Sequence, residues 1–174
     1  VAIGSGARAT GSNSVALGPV ARSLATASIA VGPGAGVGQG ANFSLAFGPE
    51  AEVIPNAMRS VAIGDSSAAA ASYATAIGAS AQVAHEHAIA IGASSRTDAP
   101  FTLSIGRADD PRTSSTDESV QRRLTHLAAG EDDTDAVNLS QLRGVGAEIQ
   151  DNTSEIDQNQ KQINSNLLNI QTNA

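Results

Sequence analysis

An aliphatic residue, a small residue, a second aliphatic and a glycine recur as one phrase along the first two thirds of the chain. The copies are Val1-Ala2-Ile3-Gly4, Val15-Ala16-Leu17-Gly18, Ile29-Ala30-Val31-Gly32, Leu45-Ala46-Phe47-Gly48, Val61-Ala62-Ile63-Gly64, Thr75-Ala76-Ile77-Gly78, Ile89-Ala90-Ile91-Gly92 and Leu103-Ser104-Ile105-Gly106. Successive glycines lie 14, 14, 16, 16, 14, 14 and 14 residues apart. Strict alternation over so few positions is the pattern of a short strand with two unlike faces. A terminal glycine lets the backbone turn into the next short strand. The phrases therefore predict a β solenoid, one coil per repeat. The aliphatic positions are expected to fill its thin interior. The row Ala2, Ala16, Ala30, Ala46, Ala62, Ala76 and Ala90 is expected to face outward and let neighbouring chains approach, in preference to lying on a flat solvated face. The two-residue expansions fall within residues 34 to 42 and 50 to 58, where outward loops are expected.

After Gly106 the phrase stops, and residues 107 to 118 read as a connector around Asp109-Asp110-Pro111. Residues 119 to 143 form a second segment, with Ser119 and Asp133 to Asp135 as possible helix starts. From Leu142 the period changes. Leu142, Val145, Ile149, Asn152, Ile156, Asn159, Ile163, Asn166, Ile170 and Asn173 alternate in steps of three and four. That is a heptad seam, so residues 144 to 174 are expected to form a coiled coil with an apolar residue at each a position. After Val145 every d position is asparagine. An amide in a seam weakens the bundle but fixes its register, and Asn152, Asn159, Asn166 and Asn173 would form layers able to hold a small anion or water.

Composition supports a structure that does not rely on a bulky core. Among 174 residues there are three Phe, one Tyr and no Trp, whereas a self-sufficient globule of that length depends on large aromatic burial. Absence of cysteine excludes disulfides and thiolate metal sites. The net charge is −7, and residues 107 to 174 hold twelve of the seventeen acids. No clustered basic stripe is present, so no nucleic acid partner is expected. The chain carries no long apolar run, and it starts inside a repeat, so any export signal or membrane anchor is expected to lie outside this fragment.

Three stretches invite chemistry and do not sustain it. His85-Glu86-His87 would place two imidazoles on one side of a strand as metal ligands, yet no third ligand is evident and an exposed turn is the preferred reading. Glu131-Asp132-Asp133-Thr134-Asp135 has the charge of a calcium loop without its ligand spacing, and helix initiation explains it better. Gly34, Gly36, Gly38 and Gly40 lack the lysine and following helix of a phosphate loop. No catalytic residues are assigned, and neither a cofactor nor a metal is expected. A hexapeptide-repeat acyltransferase is disfavoured by the fourteen-residue period, and an ice-binding solenoid by the want of a threonine ladder.

These residues resemble the trimeric autotransporter adhesins, in particular the YadA-like head, neck and stalk. The head resemblance is carried by the phrases, most clearly Asn13-Ser14-Val15-Ala16-Leu17-Gly18. The neck resemblance is carried by Arg122-Arg123-Leu124-Thr125-His126-Leu127-Ala128-Ala129-Gly130 and Thr134-Asp135-Ala136-Val137-Asn138-Leu139-Ser140-Gln141-Leu142. The resemblance implies a trimeric left-handed parallel β-roll at residues 1 to 106. It also implies a neck at residues 119 to 143 that leads into a parallel trimeric α-helical coiled coil. The d-position asparagines are similar to positions that hold chloride on the threefold axis, so structural chloride ions are a further expectation. The family implies a homotrimer on the outer membrane of a Gram-negative bacterium that attaches to host extracellular matrix, host cells or other bacteria, without enzymatic activity. Residues 107 to 118 are longer than the link between roll and neck in that pattern. The rival reading is a trimeric bacteriophage fibre or another structural β-solenoid.

Overall fold

A computed structural model describes residues 1–108 and 119–173. Most of the connector expected at residues 107 to 118 thus lies outside the described residues. The chain forms two compact units, Val1–Arg122 and Arg123–Ala174.

The first unit is a parallel β-solenoid. Its phrases form β1 (Ala2–Ile3), β3 (Val15–Leu17), β5 (Ile29–Val31), β7 (Leu45–Phe47), β9 (Val61–Ile63), β11 (Thr75–Ile77), β13 (Ile89–Ile91) and β14 (Leu103–Ser104). These stack in chain order into one eight-stranded sheet. Between them lie β2 (Arg8–Ala9), β4 (Arg22–Ser23), β6 (Gly36–Val37), β8 (Glu52–Val53), β10 (Ala68–Ala69) and β12 (Gln82–Val83), which build a six-stranded sheet opposite. Each phrase pairs in parallel with the same phrase one coil on, as in Ala16↔Ala30 and Ala46↔Ala62. The repeat read from the sequence is therefore one complete circuit of the coil.

The expected facing of the strands is inverted. Ala16, Ala30, Ala46, Ala62, Ala76 and Ala90 are fully buried inside their own chain and cannot meet a neighbour; only Ala2, at the open first coil, is exposed. The aliphatic residues flanking them point outward, and Leu17, Ile29, Phe47 and Ile91 are each at least two fifths exposed. The cause is the width of the coil. Two sheets joined by such short turns leave space between them only for small side chains, chiefly Ala, Ser and Val, and Val37, Val53 and Val83 are the bulkiest fully buried side chains. Poverty in large residues is thus a condition of the fold, since a close-packed interior rejects added volume.

Small polar side chains complete this interior. Ser60 Oγ donates to the Ala71 carbonyl at 2.8 Å and accepts from the Ala74 amide at 3.2 Å, linking consecutive coils. Ser44 repeats the arrangement one coil earlier, donating to Ala57 at 3.1 Å and accepting from the Ser60 amide at 3.0 Å. These bonds answer backbone groups that the turns leave without a ladder partner. The two expanded repeats occupy adjacent coils, and the Asn56 amide donates to the Gln39 carbonyl at 3.0 Å, so the extra residues stack upon each other.

The unit extends past Gly106. Arg107 and Val120 exchange backbone hydrogen bonds at 2.9 and 3.0 Å as an antiparallel bridge. Arg122 then spreads its guanidinium over the last coils, donating to the carbonyls of Ile105 at 2.6 Å and Ala93 at 2.7 Å and to Ser95 Oγ at 3.1 Å. A solenoid end exposes backbone acceptors that the next coil would have satisfied, and the planar fork of arginine suits several at once.

In the second unit, α1 (Leu139–Thr172) begins later than the starts expected at Ser119 and at Asp133 to Asp135. Its N-cap is Asn138, whose side chain accepts from the Gln141 amide at 3.0 Å while Gln141 Oε1 accepts from the Asn138 amide at 3.1 Å. This capping box satisfies two otherwise orphaned donors. The Gln141 amide group also pairs with both backbone groups of Gly130, at 3.0 and 3.1 Å, and Asn138 Nδ2 donates to the Leu127 carbonyl at 3.1 Å. The two halves of the neck phrase are thereby fastened together. The helix runs without a break across the boundary between residues 143 and 144, and none of its residues is buried.

Candidate functional site

Three exposed features survive this accounting, none of them a catalytic pocket. The first is the outward face of the eight-stranded sheet, where Ile3, Leu17, Ile29, Phe47, Ile77, Ile89, Ile91 and Leu103 stand exposed in a continuous field. A contiguous apolar surface of this kind marks an association site.

The second is the helix seam. Leu142, Val145, Ile149, Ile156, Ile163 and Ile170 each remain more than half exposed in the single chain. A helix of this length with no buried side chain has nothing in its own unit to hold it, and burial of an amphipathic stripe is what stabilises most helices. Asn152, Asn159 and Asn166 follow the seam about 10.5 Å apart, seven residues at the helical rise. One chain does not bring them together. Asn166 Oδ1 accepts from Gln162 at 2.9 Å, and Asn173 is the C-cap, with Nδ2 on the Asn169 carbonyl at 2.9 Å.

The third was not read from the sequence. The residue two positions before each phrase, from Asn13 through Ala27, Phe43, Arg59, Tyr73 and His87 to Phe101, has φ between 52° and 61° in every coil. These positions form a ridge in the left-handed region, which bulky residues seldom occupy. On it Arg59 Cζ lies 5.7 Å from the ring centroids of both Phe43 and Tyr73, and Arg59 Nη1 donates to the Tyr73 hydroxyl at 2.8 Å. The Tyr73 and His87 rings stack at 4.5 Å, and those of His87 and Phe101 at 5.0 Å. Aligning the repeats by column would have disclosed it, because three of the chain's four aromatic residues share that column.

The remaining candidates resolve as local structure. His85 and His87 lie in a turn after β12 and not along a strand; His85 Nδ1 sits 3.2 Å from Thr97 Oγ1 while His87 joins the stack. Among the described residues no group of three or more His, Asp or Glu is placed to hold a metal ion. Asp135 Oδ2 accepts from the amides of Glu131 at 3.0 Å and Asp132 at 3.2 Å. Those bonds hold its carboxyl below the usual carboxylate range, a turn closure and not a cation loop. Gly36 lies in β6, within a sheet and not at a helix start.

Comparison with known proteins accounts for both units. Residues 1–21, 9–35, 56–81 and 69–95 match the YadA head domain repeat, and residues 123–165 match the coiled stalk of trimeric autotransporter adhesin. The crystal structure of the collagen-binding domain of the Yersinia adhesin YadA superposes with a TM-score of 0.57 at 33% identity, covering 78% of this chain and 83% of that one. The chain belongs to the YadA-like trimeric autotransporter adhesins. Adhesin YadA of Yersinia enterocolitica is 57% identical over 37 residues, which are 21% of this chain and 8% of that protein's length. The chain thus matches only a small part of that relative. Within the family's terms, the solenoid is the head and α1 enters the stalk. Among the described residues no helix is long and apolar enough to cross a membrane.

Proposed function

We propose that this chain is the head, neck and first part of the stalk of a homotrimeric adhesin. It is displayed on a Gram-negative outer membrane, binds collagen-type host matrix and catalyses no reaction. The observation that carries the reading is the uncovered apolar surface in both units, on chains whose family assembles in threes. Three copies would bring the outward aliphatic face of the eight-stranded sheet against its counterparts and close the heptad seam. The head interface is thus assigned to Leu17, Ile29, Phe47, Ile77 and Ile91, in place of the alanine row. In the stalk, each asparagine layer would converge three amides, whose N–H donors suit chloride on the axis. Collagen is favoured as the matrix ligand because the solved relative is a collagen-binding domain.

The test is binding of the purified chain to surfaces coated with type I collagen, with fibronectin and with albumin. Saturable binding to collagen well above albumin is expected. Equal signals on all three surfaces would remove the adhesin reading for this fragment, and binding to fibronectin alone would replace the matrix ligand.

A further inference from the structure

We propose that the ridge of Phe43, Arg59, Tyr73, His87 and Phe101 is the strip along which one polyproline II strand of a collagen-type triple helix lies. The inference rests on the matrix-adhesin reading above and assigns residues to it.

Its first support is a match of periods. The two stacking steps together separate the Tyr73 and Phe101 rings by about 9.5 Å along the ridge. A polyproline II chain turns once in three residues of about 3.1 Å rise, so equivalent side chains return every 9.3 Å or so. Aromatic rings occupy alternate coils, at Phe43, Tyr73 and Phe101, and each can meet one turn of such a chain. Aromatic-lined surfaces are the usual means of reading proline-rich strands.

The second support is the chemistry between the rings. Polyproline II makes no internal hydrogen bonds, so the carbonyl groups not taken up between the three chains stand along its flank. Arg59 and His87, which carry N–H donors, occupy the intervening coils, and both are exposed. The strip therefore alternates apolar ring and donor in step with a ligand that alternates imino-acid ring and acceptor.

The third support is that the turn does not require these residues. Asn13 and Ala27 adopt the same conformation at φ 57° and 52° without any stack. Bulky side chains at φ near 60° are disfavoured relative to asparagine, and strain that the turn itself does not call for points to function.

The test uses the full chain and its triple variant Phe43→Asn, Tyr73→Asn, Phe101→Asn, the substituting residue being the one that Asn13 already supplies in the first coil. The probe is a triple-helical peptide of about ten Gly-Pro-Pro repeats, alongside type I collagen. The variant is expected to bind both about tenfold or more weakly, with unchanged sedimentation mass. Gln82→Ala, on the six-stranded sheet where the previous coil has Ala68, should bind as the parent does. Undiminished binding by the triple variant would overturn the strip while leaving the adhesin reading intact; failure of the parent to bind collagen would remove collagen as the matrix ligand and the strip with it. A fall in trimer mass would reassign the ridge to a subunit contact and overturn the proposal. Should the variant not fold, the parent alone decides. Tyr73 is its single tyrosine and there is no tryptophan, so its fluorescence should change saturably as the peptide binds. Calorimetric binding with no fluorescence change would contradict the assignment.

Discussion

Gly64→Ala is expected to melt the head at a temperature lower by roughly 10 °C, a loss on the order of 3 kcal/mol. Gly64 has φ +129°, and a Cβ there would lie 2.5 Å from the carbonyl carbon and oxygen of Gly78 in the next coil. Gly78 stands in the same relation to Gly92, and Gly48 to Gly64, so the glycines form a ladder in which each lacks a side chain because another backbone fills that space. Backbone cannot yield as a flexible side chain can, and the coils would have to separate. Neighbouring coils are coupled mainly to one another in a solenoid, so the lesion spreads along the stack. Gly36→Ala is the matched comparison. Nothing lies within 4 Å of a Cβ at that position, and the change should be neutral or stabilise by up to about 1 kcal/mol. Thermal melts followed by circular dichroism measure both; similar melting of the two variants would refute the stacked-glycine account.

Replacing both Ile156 and Ile163 with serine is expected to dissociate the stalk. Burial of an isoleucine side chain contributes about 1.5–3 kcal/mol, and the double change removes two from every chain of the proposed trimer. The flanking layers are Asn152, Asn159 and Asn166, whose amides cannot replace that apolar contribution. Loss of helical signal at micromolar concentration together with a fall in mass is the expected result. A helix that persists unchanged would mean that its stability has another source.

Much of this architecture could be read from spacing alone. The phrase glycines gave the coil and its register because a solenoid repeats in sequence what it repeats in space, and the change to steps of three and four located the helix. Facing was misread because the familiar rule that bulk points inward presupposes room for bulk. Here the small residue is the internal one, and the outward Leu17, Ile29 and Phe47 are left uncovered by their own chain. The helix start was legible too, in Asn138 and Gln141 three residues later, but Ser119 and residues 133 to 135 offer the same short polar side chains for capping. Arg122 as an end cap depends on contacts with residues 93, 95 and 105, which no local pattern discloses. The ridge required comparing columns between repeats, since Phe43, Tyr73 and Phe101 are far apart in the chain and share nothing but their place in the coil.

The central claim is that the apolar surfaces of head and stalk are covered by two further copies of the same chain. Sedimentation equilibrium of the purified protein tests it most directly. The account predicts a single species near three times the chain mass of 17.4 kDa, unchanged on dilution through the micromolar range. A monomer with a fully folded head and helix would contradict it.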